Sequence, residues 1–262
     1  MNDARRDERG LKEYRKLRSA RMLHLTVALP VVLAVQLLCV IAIYGRERNG
    51  ADPDNFDLLV REDFFAGFRG DAEALARGME KCEQALEKDP KNAQALVWHG
   101  SGLSFDAKKA FVAGNPSLGR RIQAQAIDEM DAAVELRPDS VSVLIPRAAI
   151  LLSAAMHVPS PEIAKKYFQS SAGDYEKVLH LQDPTFAMLP LHSRGELLGG
   201  LAEAWHGLGD TDKSRSYLAR MAQELPDTIY AQRAREALAT TPKSGALGTT
   251  CLGCHVTRAK SR

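Results

Sequence analysis

Four segments of the chain end in the same way, and this recurrence constrains the fold more than any other feature. Each segment is an apolar helical pattern closed by a proline: ALEKDP (85–90), AVELRP (133–138), VLHLQDP (178–184) and MAQELP (221–226). A helix cannot continue through proline, which lacks an N–H and clashes with the preceding turn. Apolar residues between the prolines recur at helical spacing, and strand-like alternation is hard to find. We therefore predict an all-α domain over residues 57–239.

The segments resemble the tetratricopeptide repeat, in which small residues at fixed positions precede a closing proline. The residues that carry the resemblance are Gly78, Cys82 and Ala85; Gly100, Ala126, Met130 and Ala133; and Leu201, Ala202, Trp205, Ser214, Leu218 and Met221, with a turn at Gly209-Asp210. The prolines lie 48, 46 and 42 residues apart, whereas the family repeat is about 34, so we expect longer helices and turns. The resemblance implies a right-handed helical solenoid, a core containing Trp205, Met130 and Cys82, and a closing helix over Ile229–Leu238.

The same resemblance implies a concave groove, lined by the first helix of each pair, that binds protein partners. In the last unit the matching face carries Glu196, Gly199, Glu203 and His206. The Lys and Asn residues that clamp a terminal carboxylate in some family members are not seen on this face. We expect the groove to take an apolar or basic segment of a protein partner.

A long charge-free segment near the N-terminus predicts a membrane anchor. Residues 22–44 carry no charge over 23 positions, which is about 34 Å as a helix and enough to span a bilayer. Residues 1–21 contain eight Lys or Arg and four acids, a charge of +4 that leaves −2 for the rest of a +2 chain. The positive-inside rule keeps this basic arm in the cytoplasm and exports the remainder. A cleaved signal peptide competes with this hypothesis, but the stretch is too long and no A-x-A-like site follows.

We therefore predict a single-pass protein of the bacterial inner membrane, with a linker at 45–56 and the helical domain in the periplasm. The exported portion has a net charge of −2, so it lacks the basic footprint that nucleic acids require. Topology explains the basic arm without a DNA or RNA partner.

The sequence Cys251-Leu252-Gly253-Cys254-His255 is the pattern by which c-type haem is attached. Two thiols at this spacing form thioethers with one porphyrin edge, and the adjacent imidazole ligates the iron. With 4 Cys and 7 His in 262 residues, a shuffled chain would contain the pattern about 0.001 times. We predict one covalent haem c on Cys251 and Cys254, with His255 as the proximal iron ligand. A redox dithiol or part of a zinc site remains an alternative, although no thioredoxin-like context or second ligand pair accompanies it.

The tail that carries the motif is short. Residues 240–250 have no periodicity and are typical of a flexible linker, and seven residues follow the motif in the tail 251–262. We therefore expect a haem to lie against the helical domain, against another subunit or in water. Several His and Met residues could supply the sixth iron ligand. His206 is our first choice because it faces the predicted groove. A solvated surface histidine is the alternative for that residue.

Three functions follow from these patterns. The first is a membrane-anchored monohaem electron carrier whose groove docks it to a membrane redox complex. The second is a scaffold or assembly factor in which the cysteine pair is a redox or metal-binding tail. An enzyme is the third and least supported, since the sequence shows no paired carboxylates, nucleophile elbow or phosphate loop.

Overall fold

A computed structural model describes residues 55–240 and Leu247. Within these residues the chain forms nine α-helices, one 3₁₀ segment and no strand, which confirms the all-α prediction. The helices are α1 (Phe56–Phe68), α2 (Ala72–Lys88), α3 (Ala93–Val112), α4 (Pro116–Leu136), α5 (Val141–Ala155), α6 (Pro161–Gln182), α7 (Leu191–Gly207), α8 (Thr211–Glu224) and α9 (Ile229–Ala239), and the 3₁₀ segment is Asp183–Met188.

Local sequence signals explain where the helices begin and end. Six helices start behind a side-chain cap that accepts a backbone N–H of the first turn, from Asp71, Asn92, Asn115, Ser160, Asp210 and Thr228. Such caps satisfy donors that have no partner inside the helix. Pro90, Pro138, Pro184 and Pro226 each follow a helix end by two residues, as predicted. Pro184 differs in lying within the 3₁₀ segment that follows α6.

The helices pack in a regular order. Each helix contacts the next along the chain, and α1, α3, α5, α7 and α9 also contact one another in succession. The odd-numbered helices therefore form one continuous layer, and α2, α4, α6 and α8 pack against it. The closing helix predicted over Ile229–Leu238 is confirmed as α9, which packs on α8 and α7.

The even-numbered helices share one register. A small residue lies 12 or 13 positions before the closing proline, and apolar residues that are buried or half-buried follow it at the fourth and seventh positions. These sets are Gly78, Cys82 and Ala85 in α2; Ala126, Met130 and Ala133 in α4; Ser171, Tyr175 and Val178 in α6; and Ser214, Leu218 and Met221 in α8. Spacings of four and seven place these residues on one helix face.

The small residues allow the two helices of a pair to approach closely. The hydroxyl of Ser171 donates to the Ala148 carbonyl at 2.9 Å, and that of Ser214 donates to the Ala202 carbonyl at 2.9 Å. In the α3–α4 pair, a methyl group on Gly100 would lie only 2.8 Å from the Ala126 carbonyl oxygen. Any larger residue at Gly100 would therefore push the two helices apart.

The buried residues form two apolar clusters that meet at α5. The N-terminal cluster is built from α1 to α4 and includes Phe64 and Met130, while the C-terminal cluster is built mainly from α5 to α9. Helix α5 contributes Val143 to the first cluster and Leu152 to the second. Its two sides are therefore covered by different halves of the core.

Some sequence expectations need correction. Cys82 and Met130 are fully buried as predicted, but Trp205 is only half-buried because its indole N–H reaches Glu176 at the surface. The length in excess of a 34-residue repeat lies mainly in the helices, since α3, α4 and α6 have 20, 21 and 22 residues. Among residues 55–240, no helix is both long and apolar enough to cross a membrane. The charge-free segment 22–44 lies outside the described residues.

Candidate functional site

The candidate site is a line of residues along one face of α7. His192, Glu196, Gly199, Glu203 and His206 follow one another at spacings of four and three, which places them on one side of a helix. We call these five residues the α7 stripe. It contains the four residues predicted to line the groove, and it adds His192, which the sequence interpretation did not place there. The 4-3 spacing of the five residues was the signal that could have found it.

One end of the α7 stripe is held by α9. The Nδ1 atom of His192 lies 2.8 Å from the Tyr230 hydroxyl, and that hydroxyl donates to Glu196 Oε1 at 3.4 Å. The Tyr230 ring packs directly on Gly195, where any side chain would collide with it. This end of the stripe is a hydrogen-bonded network between α7 and α9.

At the centre of the stripe, Glu203 contacts Leu247, which lies in the segment 240–250 between the helical domain and the motif. The Leu247 N–H donates to Glu203 Oε2 at 2.8 Å, and the Leu247 side chain packs against the C-terminal cluster. Glu203 is 3% exposed, and a buried polar side chain needs hydrogen-bond partners. A backbone N–H donating to a carboxylate forms a charge-assisted hydrogen bond, which is stronger than a neutral one. No local pattern indicates this contact, because residues 240–250 lack periodicity.

The phenol of Tyr175 lies beneath the α7 stripe and is neutral. Burial raises the pKa of Tyr175 far above its usual range, and the nearby carboxylates of Glu196, Asp174 and Glu203 raise it further. The Tyr175 ring also packs against Gly200, which permits its close approach to α7. Tyr175 therefore stays protonated and contributes packing without charge.

The other end of the stripe is His206, the predicted distal ligand. It is half-buried in the last turn of α7, and no described residue forms a hydrogen bond with its imidazole. Several other ligand candidates are engaged or buried: His99 pairs with Glu129 at 2.6 Å, His157 contacts the Ser153 carbonyl at 2.7 Å, and Met130 and Met221 are fully buried. His180 and Met188 are exposed but do not belong to the stripe. Among the described candidates, His206 combines an available ring nitrogen with a place on the stripe.

A cleft of about 360 Å³ opens between α6 and α7. It is lined in part by Lys165, Glu176 and Trp205, and the indole N–H of Trp205 donates to Glu176 Oε1 at 3.1 Å. The Lys213 ammonium lies 3.5 Å from the centre of the Trp205 ring, in cation–π contact. Trp205, Glu176 and Lys213 therefore satisfy one another, so these three groups do not by themselves indicate a ligand.

The three predicted haem-attachment residues, Cys251, Cys254 and His255, lie outside the described residues. Among the residues that are described, no cluster of three His, Cys, Asp or Glu side chains is arranged to hold a metal ion. The chain matches no known family model, and neither curated proteins nor solved structures gave a match.

Proposed function

We propose that this protein is a membrane-anchored electron-transfer and docking subunit that carries one covalent haem c. Residues 22–44 anchor it in the bacterial inner membrane, and the basic arm keeps the N-terminus in the cytoplasm. The helical domain and the haem motif then lie in the periplasm. The observation that carries the proposal is the C-x-x-C-H sequence at Cys251, Cys254 and His255.

The haem would be held by the tail and not enclosed by a domain of its own. Cys251 and Cys254 would bind the porphyrin covalently, and His255 would ligate the iron on one side. When bound, the haem iron accepts and releases one electron. The role of the chain is to fix the position of the haem relative to the helical domain.

The contact of Leu247 supports His206 as a second residue that would hold the haem iron. Cys251 follows Leu247 by four positions, and four residue steps span at most about 14 Å. Leu247 is hydrogen-bonded to Glu203, and His206 follows Glu203 by three residues on the same helix face. A haem on Cys251 and Cys254 would therefore be tethered close to His206. Among the described residues, His206 is the stripe histidine whose imidazole makes no hydrogen bond.

The packing of the helices supports a repeat solenoid of the tetratricopeptide type. Helix pairs succeed one another, the odd-numbered helices form a continuous layer, and the even-numbered helices repeat one register of small and apolar residues. Stacked pairs of this kind present grooves that bind extended segments of other proteins. We infer that a membrane redox complex is the partner.

Covalent haem is tested by mass and absorption. The full-length protein, co-expressed with cytochrome c maturation factors, is expected to gain the mass of one haem and to show the α-band of a c-type haem. Replacing Cys251 and Cys254 by alanine should abolish both signals. Cys82→Ala is the matched control, because that thiol is fully buried in the core and cannot reach a porphyrin. Absence of covalent haem in the wild-type protein would refute the proposal.

The ligand role of His206 is tested in the same preparation. His206→Ala should leave the haem attached but change the absorption spectrum and raise the high-spin fraction, because one axial ligand is lost. His157→Ala is a suitable control, since that exposed imidazole already contacts the Ser153 carbonyl. An unchanged spectrum in His206→Ala would exclude His206 while leaving haem attachment intact.

A scaffold or assembly factor is the second candidate function. It is favoured by the seating of Leu247 on the α7 stripe, because a groove that takes one peptide segment has the chemistry to take others. Deleting residues 248–262 distinguishes the two functions. If the truncated protein still captures its partner and supports the same cellular phenotype, the scaffold function is correct and the haem is dispensable.

A further inference from the structure

We propose that the α7 stripe is a docking site for the protein's own tail, with Leu247 as the anchor residue. The site has two parts, the buried carboxylate of Glu203 and the apolar surface of the C-terminal cluster beside it. The inference does not require haem, so its failure would leave the proposed function untouched. If both hold, the docking site determines where the haem motif is presented.

The chemistry of the site explains why a peptide segment fits it. Glu203 is 97% removed from solvent, and its Oε2 accepts the Leu247 backbone N–H at 2.8 Å. A backbone N–H is a donor that any peptide segment offers, and it brings no charge of its own that would have to be desolvated. The contact of Leu247 with Glu203 is therefore one that a segment of backbone can supply.

The side chain of Leu247 fixes the register of docking. Among residues 241–250, TPKSGALGTT, it is the only large apolar side chain, and it packs against the C-terminal cluster. A shift by one residue would place alanine or glycine against that surface and lose the apolar contact. The tail therefore has one favourable position on α7.

Docking at Leu247 limits how far the C-x-x-C-H motif can lie from α7. Because Cys251 follows by four residues, its Cα lies within about 14 Å of the Leu247 Cα. An undocked tail would be held only at Thr240, where α9 has ended, and 11 residues would allow about 36 Å. Docking therefore reduces the reach of the motif by more than half.

A peptide competition tests the site. A fluorescent peptide with the sequence of residues 241–250 is titrated into full-length wild type and into the full-length Leu247→Ala variant. The wild-type tail competes at an effective concentration of about 1 mM, so a peptide with a Kd of about 0.1 mM should bind the variant roughly tenfold more tightly. Far-UV circular dichroism confirms that the variant keeps its helices.

Three controls keep the test specific. The same peptide with alanine in place of leucine should not bind, and Leu181→Ala, which alters an exposed leucine, should bind the peptide as weakly as wild type. Adding Glu203→Gln to Leu247→Ala should weaken peptide binding several-fold, since the amide oxygen is a weaker acceptor than a carboxylate. Equal peptide affinity of wild type and Leu247→Ala would overturn the proposal, as would a Leu247→Ala variant that binds no peptide.

Discussion

The buried carboxyl group of Asp174 should make the stability of this protein depend on pH. Asp174 is 7% exposed on α6, and its Oδ2 lies 3.3 Å from Arg147 Nε on α5. Burial raises the pKa of Asp174 to about 7 even though the Arg147 guanidinium opposes the shift; the carboxylate of Asp131 raises the pKa further, and Lys177 lowers it. Burial prevails because neither atom of the pair makes a hydrogen bond.

The sign of the effect follows from proton binding. The folded protein holds the Asp174 proton up to about pH 7, whereas the unfolded chain releases it near pH 3.9. The stabilising contribution is thus fully present below about pH 4 and is lost as the pH rises to about 7. A difference of about three pH units corresponds to about 4 kcal/mol, of which about 3 kcal/mol is lost between pH 5 and pH 8.

The variant Asp174→Asn measures the contribution of Asp174 to the pH dependence of the free energy of unfolding. The amide has the shape of the protonated acid and no charge at any pH, so the variant's stability advantage over wild type should be about 3 kcal/mol larger at pH 8 than at pH 5. Urea denaturation followed by far-UV circular dichroism measures it as a midpoint shift of about 1 M. Asp139→Asn is the control, because that carboxylate is exposed and its pair with Lys177 contributes little. The same stability difference at both pH values would refute the reasoning.

Three further predictions concern helix packing and burial. Gly100→Ala should destabilise the protein by about 1–3 kcal/mol in the same urea assay, because its methyl group would collide with the Ala126 carbonyl. Gly173→Ala, where no heavy atom lies within 4 Å of the added methyl group, should instead stabilise α6 by about 0.5–1 kcal/mol. Burial raises the pKa of the Cys82 thiol to about 12, so Cys82 should resist alkylation at pH 8 until the protein unfolds. Mass spectrometry would detect the label, and rapid labelling of the native protein at Cys82 would contradict its burial.

Much of the fold could be predicted from the sequence because local chemistry determines it. The prolines, the capping side chains and the glycine at 209, which adopts a φ of +79°, act within one or two turns of their own position. The core positions of α8 were predictable for the same reason, since Ser214, Leu218 and Met221 recur at helical spacing.

The rest depends on partners that are distant in the sequence. Asp174 has the appearance of a surface acid in a helical pattern, and only the packing of α5 on α6 buries it. Trp205 looks like a core residue, yet Glu176 draws its N–H toward the surface. Leu247 lies 44 residues from the carboxylate that it contacts, and no local pattern encodes that pairing. Sequence periodicity predicts which faces are apolar, but not what covers them.

The position of α5 between the two apolar clusters has a thermodynamic consequence. Because one side of this helix belongs to each cluster, unfolding of either half would expose part of α5 and weaken the other half. Coupling between neighbouring units is what makes a stack of helices unfold cooperatively. Substitutions at Val143 or Leu152 should therefore reduce cooperativity as well as stability. A destabilising substitution in α1 would therefore affect the C-terminal cluster chiefly through α5.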